Sequence, residues 1–424
     1  MTGTIETVPS NQESTSTPTA APGWTRRQRI ATALNLVGAV TVAGAAGAGS
    51  PLFVYEQGRW GFADSTLTVM FSVYALALLV TLLVAGSLSD HLGRRPVLIG
   101  ALVLLAGASV LFLLADDASW LIAARIVQGI ATGAATSAFT AMVSETVPAA
   151  SRDRMTQIAG STPIAGLALG ALAAGLAVQG TDLPVVAVYA TVIVLIVVAI
   201  TGSLLTPESS SRVPGALRSL VPRVAVPRRL RAPFARAAVL VAAAWATSGL
   251  FLGLVPAFAH SIGIDGLPAA VLVFLQPATA AASGIALTRL PVARAGLIGA
   301  IALLAGGAFA FFAAVTGSAP LLALAAIVGG VGNGLGFAAA LRPLAAAAAT
   351  HERGGAISAI YVVAYLAYGL PAFLAGQLSA GMGLAGVTAA YGLLILIVAT
   401  AALITRVPLR TTPRPALAGK EGRS

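Results

Sequence analysis

The chain has 424 residues, of which 58% are hydrophobic and only 9% charged, and its formal net charge is +11. So few charged residues exclude a disordered chain, a coiled coil and an ordinary soluble domain. The absence of cysteine excludes disulfides and thiolate metal sites, and the three histidines stand far apart in the sequence. We therefore expect no metal and no cofactor.

The first 25 residues are rich in Ser, Thr and Pro and predict a disordered cytoplasmic tail. The apolar run that follows three arginines is too long for a signal peptide and predicts a first membrane helix. Twelve such runs occur, six on each side of a polar stretch, and each can cross a bilayer core of about 30 Å at 1.5 Å per residue. They cover residues 30–54, 65–89, 97–115, 120–144, 155–180, 183–205, 237–259, 267–288, 295–316, 320–341, 356–379 and 384–405.

Backbone groups in lipid must be paired within their own segment, so the runs predict helices. The predicted fold is an all-α membrane protein with twelve helices in two pseudo-symmetric six-helix bundles. The bundles occupy residues 26–205 and 237–406, and a cytoplasmic linker at 206–236 joins them. Residues 407–424 are predicted to form a second cytoplasmic tail.

The basic residues predict the orientation of these helices. If both termini and every even-to-odd loop lie on one side, that side holds 23 of the 25 Lys and Arg residues. The positive-inside rule makes this side cytoplasmic. The opposite loops carry six acids, which are Glu56, Asp64, Asp116, Asp117, Asp182 and Asp265. The charge therefore reports topology rather than nucleic-acid binding.

An internal repeat supports two equivalent halves. The segment from Ile126 to Gly133 in the fourth run is similar to that from Ile327 to Gly334 in the tenth. Equivalent halves are typical of transporters that rock one bundle against the other around a central site. Chance similarity between helices rich in Gly and Ala is the alternative.

The loop after the second run reads GSLSDHLGRRP, from Gly86 to Pro96. It matches the pattern G-x-L-x-D-x-x-G-R-R/K and so resembles the signature loop of the major facilitator superfamily. Glycine permits a tight turn, and the acid and the arginines can form ion pairs at helix ends. The resemblance implies a cytoplasmic latch that breaks and re-forms during transport. Its expected members are Gly86, Asp90, Gly93, Arg94, Arg95, Glu145 and Arg152.

The fourth run contains RIVQG, from Arg125 to Gly129, which resembles an element that recurs in proton-coupled antiporters of this superfamily. A charge within a membrane helix is usually functional and faces the protein interior, although Arg125 could also reach the outer interface. We expect a coupling or substrate pocket, while for each polar residue a role in helix packing is the alternative. The expected pocket residues are Asn35, Arg125, Gln128, Thr132, Gln276, Asn333, Tyr361 and Tyr365.

We therefore expect a secondary transporter that resembles the twelve-helix drug/proton antiporters, not an enzyme. No Asp or Glu lies in the middle of a run, so a proton carrier must be an acid near the interfaces: Glu56, Asp64, Asp90 or Glu145. The expected substrate is a lipophilic or amphipathic small molecule that leaves the cell. Specific transport of an organic acid or amino acid is the alternative. The chain is expected to act as a monomer in the plasma membrane of a bacterium, without nucleic acid.

Overall fold

The computed structural model describes residues 24–148, 151–210, 212–222, 224–286 and 290–405. Nearly all of the two predicted tails lies outside these residues. All regular secondary structure within them is helical. The helices are α1 (Arg26–Trp60), α2 (Asp64–Ala85), α3 (Leu88–Leu92), α4 (Arg94–Leu113), α5 (Ala118–Thr146), α6 (Arg152–Gly180), α7 (Pro184–Leu205), α8 (Ala216–Ser219), α9 (Arg231–Gly249), α10 (Val255–Ser261), α11 (Gly266–Ala286), α12 (Val292–Thr316), α13 (Ala319–Ala347) and α14 (Thr350–Ile404).

Eleven helical segments of the described chain are long and apolar enough to cross a membrane. The last of them, α14, has 55 residues and would be about 80 Å long if straight, far more than a bilayer core. Gly383 interrupts it with a φ of 70°. Tyr368 and Tyr391, on either side of this break, both lie against Gly249. The chain therefore reverses at Gly383, and α14 provides two spans, 350–382 and 384–404. This confirms the all-helical fold of twelve spans.

The spans pack as two bundles. In the first, α1 contacts α6 and α7, while α5 contacts α2 and α4. In the second, α13 contacts α9, α11 and α12, and α14 contacts α9 and α12. Two extensive contacts cross between the bundles, α6 with α11 and α2 with α14. These two seams are the surfaces along which the halves meet.

The repeat detected in the sequence has a structural counterpart. Gly129 and Gly133 on α5 lie against the backbone of α2, where a Cβ would come within 3 Å of a carbonyl oxygen. Gly330 and Gly334 on α13 lie in the same way against carbonyl oxygens of α11. Small residues allow two helix backbones to approach this closely. The two similar segments therefore make the same contact with the second span of their own half.

The linker is shorter than predicted at its C-terminal end. Helix α9 begins at Arg231, six residues before the predicted start, and one 3₁₀ turn, Arg228–Leu230, precedes it. Arg231 is exposed and Arg236 is half-buried. Long arginine stems can lie along an apolar helix while the charged heads stay in water. The helix can therefore begin before the charges end.

Candidate transport site

The bundle has two chemically different ends. The arginine-rich end carries Arg94, Arg95 and the linker, and the acidic end carries Glu56, Asp64 and Asp182. A cavity of about 1380 Å³ opens at the arginine-rich end. The ends of α2 and α5 line it on one side, the first part of α14 lines it on the other, and the linker helix α8 lies at its mouth. The two halves are thus apart at this end.

Aromatic residues of α14 form the deep wall of the cavity. Tyr361 and Tyr365 line it directly. Behind them, the ring of Trp245 lies 4.7 Å from that of Tyr365 and 6.4 Å from that of Tyr361, both edge-on. Tyr368 lies one turn deeper, is buried, and packs against Phe71 of the other half with ring centres 4.5 Å apart. The predicted pocket residues Tyr361 and Tyr365 therefore line the cavity, whereas Tyr368 packs between the two halves.

The facing wall on α5 is weakly polar. Thr136, Ser137 and Thr140 line it, and each hydroxyl donates to a carbonyl of its own helix at 2.7–3.2 Å. Each oxygen can still accept a hydrogen bond from a bound molecule. Asp90, at the mouth, is the one acid among the described lining residues. The cavity thus offers aromatic and hydroxyl surface and little fixed charge.

Arg125 lies on α5 between this cavity and the acidic end, with 2% of its surface exposed. Its guanidinium donates to the side-chain oxygen of Gln128 at 2.6 Å and to the carbonyl oxygen of Ala46 at 3.3 Å. It also stands over the rings of Tyr74 and Phe53, 4.5 Å and 5.0 Å from their centres. Among the described residues no carboxylate pairs with it. The guanidinium therefore faces the protein interior and is held by neutral groups alone.

The other predicted pocket residues lie at helix contacts. Asn35 donates to Thr206 at 2.8 Å and joins α1 to the end of α7. Gln276 and Asn333 both donate to the hydroxyl of Ser248, at 3.2 Å and 2.5 Å. Thr132 donates to its own helix. None of these side chains, nor Gln128, lines the cavity, and their role in binding stays a prediction.

At the acidic end the halves are closed against each other. The hydroxyl of Ser50 on α1 donates to the carbonyl oxygen of Leu252 at 2.7 Å. Leu252 belongs to a π-helical turn, Leu250–Leu254, between α9 and α10. Pro256 follows it and lacks the amide hydrogen that an α-helix would bring to this carbonyl. Because of this proline, the carbonyl oxygen of Leu252 can accept a hydrogen bond from Ser50 in the first half of the chain.

The predicted latch residues Asp90, Arg94 and Glu145 meet at the arginine-rich end. Arg94 pairs with Asp90 and, at 3.0 Å, with Glu145, and it donates to Ser89 at 2.7 Å. Ser209 of the linker donates to Glu145 at 2.5 Å. Partial burial acts to raise the pKa of Glu145, but the hydrogen bonds from Arg94 and Ser209 outweigh it, so the pKa is lowered. The carboxylate is therefore held in its charged form.

A second acid of this cluster, Glu208, was not predicted. Its carboxylate accepts from the backbone amides of Arg94 and Arg95, at 2.9 Å and 3.1 Å. These amides open α4 and have no partner within the helix, so a negative group there is favoured. Burial acts to raise the pKa of Glu208, but backbone hydrogen bonds from Ser210, Arg94 and Arg95 outweigh it and lower the pKa. The linker is thus fastened to the start of α4.

The remaining latch residues have different surroundings. Gly93 turns the chain into α4 with a φ of 109°, a conformation that favours glycine. Gly86 ends α2 and lines the cavity, and a side chain there would meet only Leu82 of its own helix, so no second helix requires its small size. Arg95 makes no ion pair within the described residues. Arg152 begins α6, but its side chain lies outside the described part of the chain.

Comparison with known proteins agrees with this architecture. The sequence model of the Major Facilitator Superfamily matches residues 34–294, more than half of the chain. The chain belongs to the Major Facilitator Superfamily. Members of this superfamily are transporters, so the chain is a multi-pass membrane transporter and not an enzyme.

Relatives within the superfamily match only short stretches. Multidrug resistance protein MdtL of Shewanella sp. (strain ANA-3) is 36% identical over 73 residues, which are 17% of this chain and 18% of the relative. Inner membrane transport protein YajR of Escherichia coli K12 is 31% identical over 94 residues, or 22% of this chain and 20% of the relative. The chain thus spans about a fifth of the length of these relatives.

Among solved structures, the human organic anion transporter MFSD10 (TETRAN) superposes with a TM-score of 0.65. The match covers 89% of this chain and 100% of that one, at 17% identity. At this identity the likeness shows the shared superfamily fold alone.

Proposed function

We propose that this transporter exports a lipophilic or amphipathic aromatic solute from the cell in exchange for protons. The large cavity at the arginine-rich end, with Tyr361 and Tyr365 on its deep wall, is the observation that carries the proposal. The positive-inside rule places this end in the cytoplasm, so both termini are cytoplasmic and the cavity takes up its solute from inside the cell.

The charge of the cavity favours particular solutes. Planar aromatic molecules can stack on the tyrosine rings, and the hydroxyl groups of α5 can orient a polar substituent. The only acid that the described lining residues offer a cationic solute is Asp90, which is already paired with Arg94. The proposed substrates are therefore neutral or anionic aromatic molecules rather than simple cations. The partial similarity to proteins named for multidrug resistance supports drug efflux.

The proposed cycle alternates between the two ends. Solute binds while the acidic end is closed, where Ser50 and Leu252 join the halves and Phe71 packs on Tyr368. Rocking then separates these contacts and brings α2 and α14 together at the arginine-rich end. The latch cluster of Arg94, Asp90 and Glu145 lies beside this moving seam and rearranges with it. The transporter works as a monomer, because one chain contains both halves and the cavity between them.

The proposal is tested with everted membrane vesicles that are acidified inside and contain the transporter. Chloramphenicol (neutral), carboxyfluorescein (anionic) and ethidium (cationic) are offered in turn, and the pH gradient is followed with acridine orange. We expect chloramphenicol and carboxyfluorescein to accumulate and to dissipate the gradient, with little effect of ethidium. Matched vesicles without the protein are the control. Accumulation that does not depend on the pH gradient would contradict proton exchange.

Specific transport of an organic acid is the second candidate, and Arg125 is the observation that favours it. Its charge is buried without a carboxylate partner, so a carboxylate on the solute could pair with it after rearrangement. In the described state Gln128, Tyr74 and Phe53 surround the guanidinium. If one small organic acid, and none of the three aromatic probes, dissipates the pH gradient, this candidate replaces the first.

A further inference from the structure

We infer that Glu56 binds the exchanged proton, in a cavity at the acidic end that is separate from the solute cavity. This inference rests on the proposed proton exchange, and it assigns a residue and an access route to the proton.

Glu56 is an unusual carboxylate in this chain. Only 4% of its surface is exposed, and among the described side chains it and Arg125 are the only buried charged groups. Within the described residues its only ion pair is with Arg59, one turn along α1, at 3.0 Å and 3.2 Å, and the side chain of Arg59 is 57% exposed. Burial of a carboxylate costs free energy unless it is paired or protonated. A buried acid with one solvent-exposed partner can therefore exist in both protonation states.

A cavity of about 460 Å³ gives access to this carboxylate. It lies between α1, α4 and α7 at the acidic end, and Glu56, Arg59, Asp182 and Tyr189 are among its lining residues. Tyr189 is fully buried, and its hydroxyl has no hydrogen-bond partner among the described residues. A polar cavity of this size can hold several water molecules. Water in this cavity would bring protons to Glu56.

The surroundings suit a proton better than a metal cation. Na⁺ or a divalent ion needs several oxygen ligands, and the described residues contain no group of three His, Cys, Asp or Glu that could hold one. The ionisable groups that line the cavity are Tyr55, Arg59, Asp182 and Tyr189 besides Glu56 itself. The lining residues of α4 and α5 are all apolar: Phe112, Leu113 and Leu121, together with Ala115 at the end of α4. One carboxylate beside one arginine is a site for a single proton.

Helix α1 connects this site to the contact that closes the acidic end. Glu56 lies six residues beyond Ser50, about 9 Å along the helix, and Ser50 donates to Leu252 of the second half. On protonation, an O–H bond forms at a carboxylate oxygen of Glu56, the proton comes from hydronium in the cavity, and the ion pair with Arg59 is lost. Glu56 can then change its position relative to Arg59, and α1 can move with respect to Leu252.

The test measures protonation directly and needs no transported solute. Full-length protein in lipid vesicles is examined by infrared difference spectroscopy between neutral and acidic pH. In the wild type we expect a band from the protonated carboxyl group of Glu56, and we expect Glu56→Gln to lose it. Asp182→Asn, which removes an exposed acid from the same cavity, should keep it. A band that survives in Glu56→Gln would overturn the inference.

A conservative variant and a transport assay complete the test. Glu56→Asp should keep a carboxyl band with a shifted pH midpoint, and an unchanged midpoint would contradict the assignment even if Glu56→Gln fails to fold. In proteoliposomes Glu56→Gln should lose pH-driven accumulation of chloramphenicol but retain its exchange across the membrane. If the wild type transports neither chloramphenicol nor carboxyfluorescein, the proposed function fails, while the infrared result still decides whether Glu56 binds the proton.

Discussion

The hydroxyl of Ser50 lies 2.7 Å from the carbonyl oxygen of Leu252 and joins the two halves of the chain at the acidic end. Leu252 belongs to a π-helical turn, and Pro256, four residues later, cannot donate an amide hydrogen to it. Single π turns inside helices are frequent at functional sites. One serine and one proline, about 200 residues apart, thus create a contact that must break when this end opens.

Replacement Ser50→Ala should shift the transporter toward opening at the acidic end. It removes the hydroxyl donor and leaves the buried carbonyl oxygen of Leu252 without this hydrogen bond. The loss costs about 1 kcal/mol and changes the ratio of open to closed molecules roughly fivefold. Spin labels at Gly58→Cys and Ser261→Cys should report a longer distance between the halves, and the chain has no native cysteine to interfere.

Ser109→Ala is the matched control for this experiment. Ser109 is also buried, but its hydroxyl donates to Leu105 within its own helix. The label distances should be unchanged in this variant. If Ser109→Ala and Ser50→Ala alter the distances alike, the Ser50 hydrogen bond does not hold the acidic end closed.

The close packing of α1 on α6 gives a prediction about stability. A Cβ at Gly170 would overlap the carbonyl group of Gly44, so Gly170→Ala must push the two helices apart. Overpacking of this kind costs roughly 1–3 kcal/mol. We expect a lower thermal unfolding temperature in detergent, followed by circular dichroism. Gly180→Ala, at the end of the same helix with no atom near its Cβ, should unfold at the wild-type temperature.

Most of the fold could be predicted from the sequence, because lipid requires long apolar helices and the basic residues sort to one side. The repeat predicted two equivalent halves, and the structure shows its glycines in the same contact in each, α5 with α2 and α13 with α11. The break at Gly383 fell in the predicted gap between the last two runs. These features depend on local composition and on chemistry that repeats along the chain.

The site was less predictable because its contacts join distant residues. Glu208 caps α4 from 114 residues away, and the only local signal was an acid directly after an apolar run. Arg125 was recognisable as an intramembrane charge, but its neutral partners Ala46 and Gln128 could be found only from the structure. Glu56 stood among the acids of the outer loops, and nothing in the sequence indicated its burial.

Removal of the carboxylate at Glu208 should release the linker from α4. Glu208→Ala leaves the amides of Arg94 and Arg95 without their cap, which costs roughly 0.5–2 kcal/mol for comparable helix caps. Trypsin should then cleave the arginine-rich linker faster than in the wild type. Glu208→Gln keeps an acceptor oxygen and should give an intermediate rate. Equal rates in all three proteins would contradict the role of Glu208 as the fastening residue.

The same cluster predicts a response to acid. The pKa values of Glu145 and Glu208 are lowered in the folded protein. The contribution of these two carboxylates to stability is therefore fully present above the ordinary glutamate pKa of about 4.3. It is lost as the pH falls through the lowered values in the folded protein. Spin labels at Leu92→Cys and Leu217→Cys, both at exposed positions, should keep one distance from pH 8 to pH 5 and broaden only in stronger acid. Broadening that begins near neutral pH would contradict this assignment.

The aromatic wall predicts a graded loss of transport. Tyr365→Phe keeps the ring and its contact with Trp245, so it should keep most of the affinity for chloramphenicol. Tyr365→Ala removes the ring, and loss of an aromatic contact worth about 0.5–1.5 kcal/mol should weaken apparent affinity roughly two- to twelvefold. Initial rates of uptake into acidified everted vesicles, measured against solute concentration, separate affinity from maximal rate. Phe312→Ala, which removes an exposed aromatic ring of α12 outside the solute cavity, is the matched aromatic control and should leave the affinity unchanged. If Tyr365→Ala binds as tightly as Tyr365→Phe, the solute does not stack on this wall.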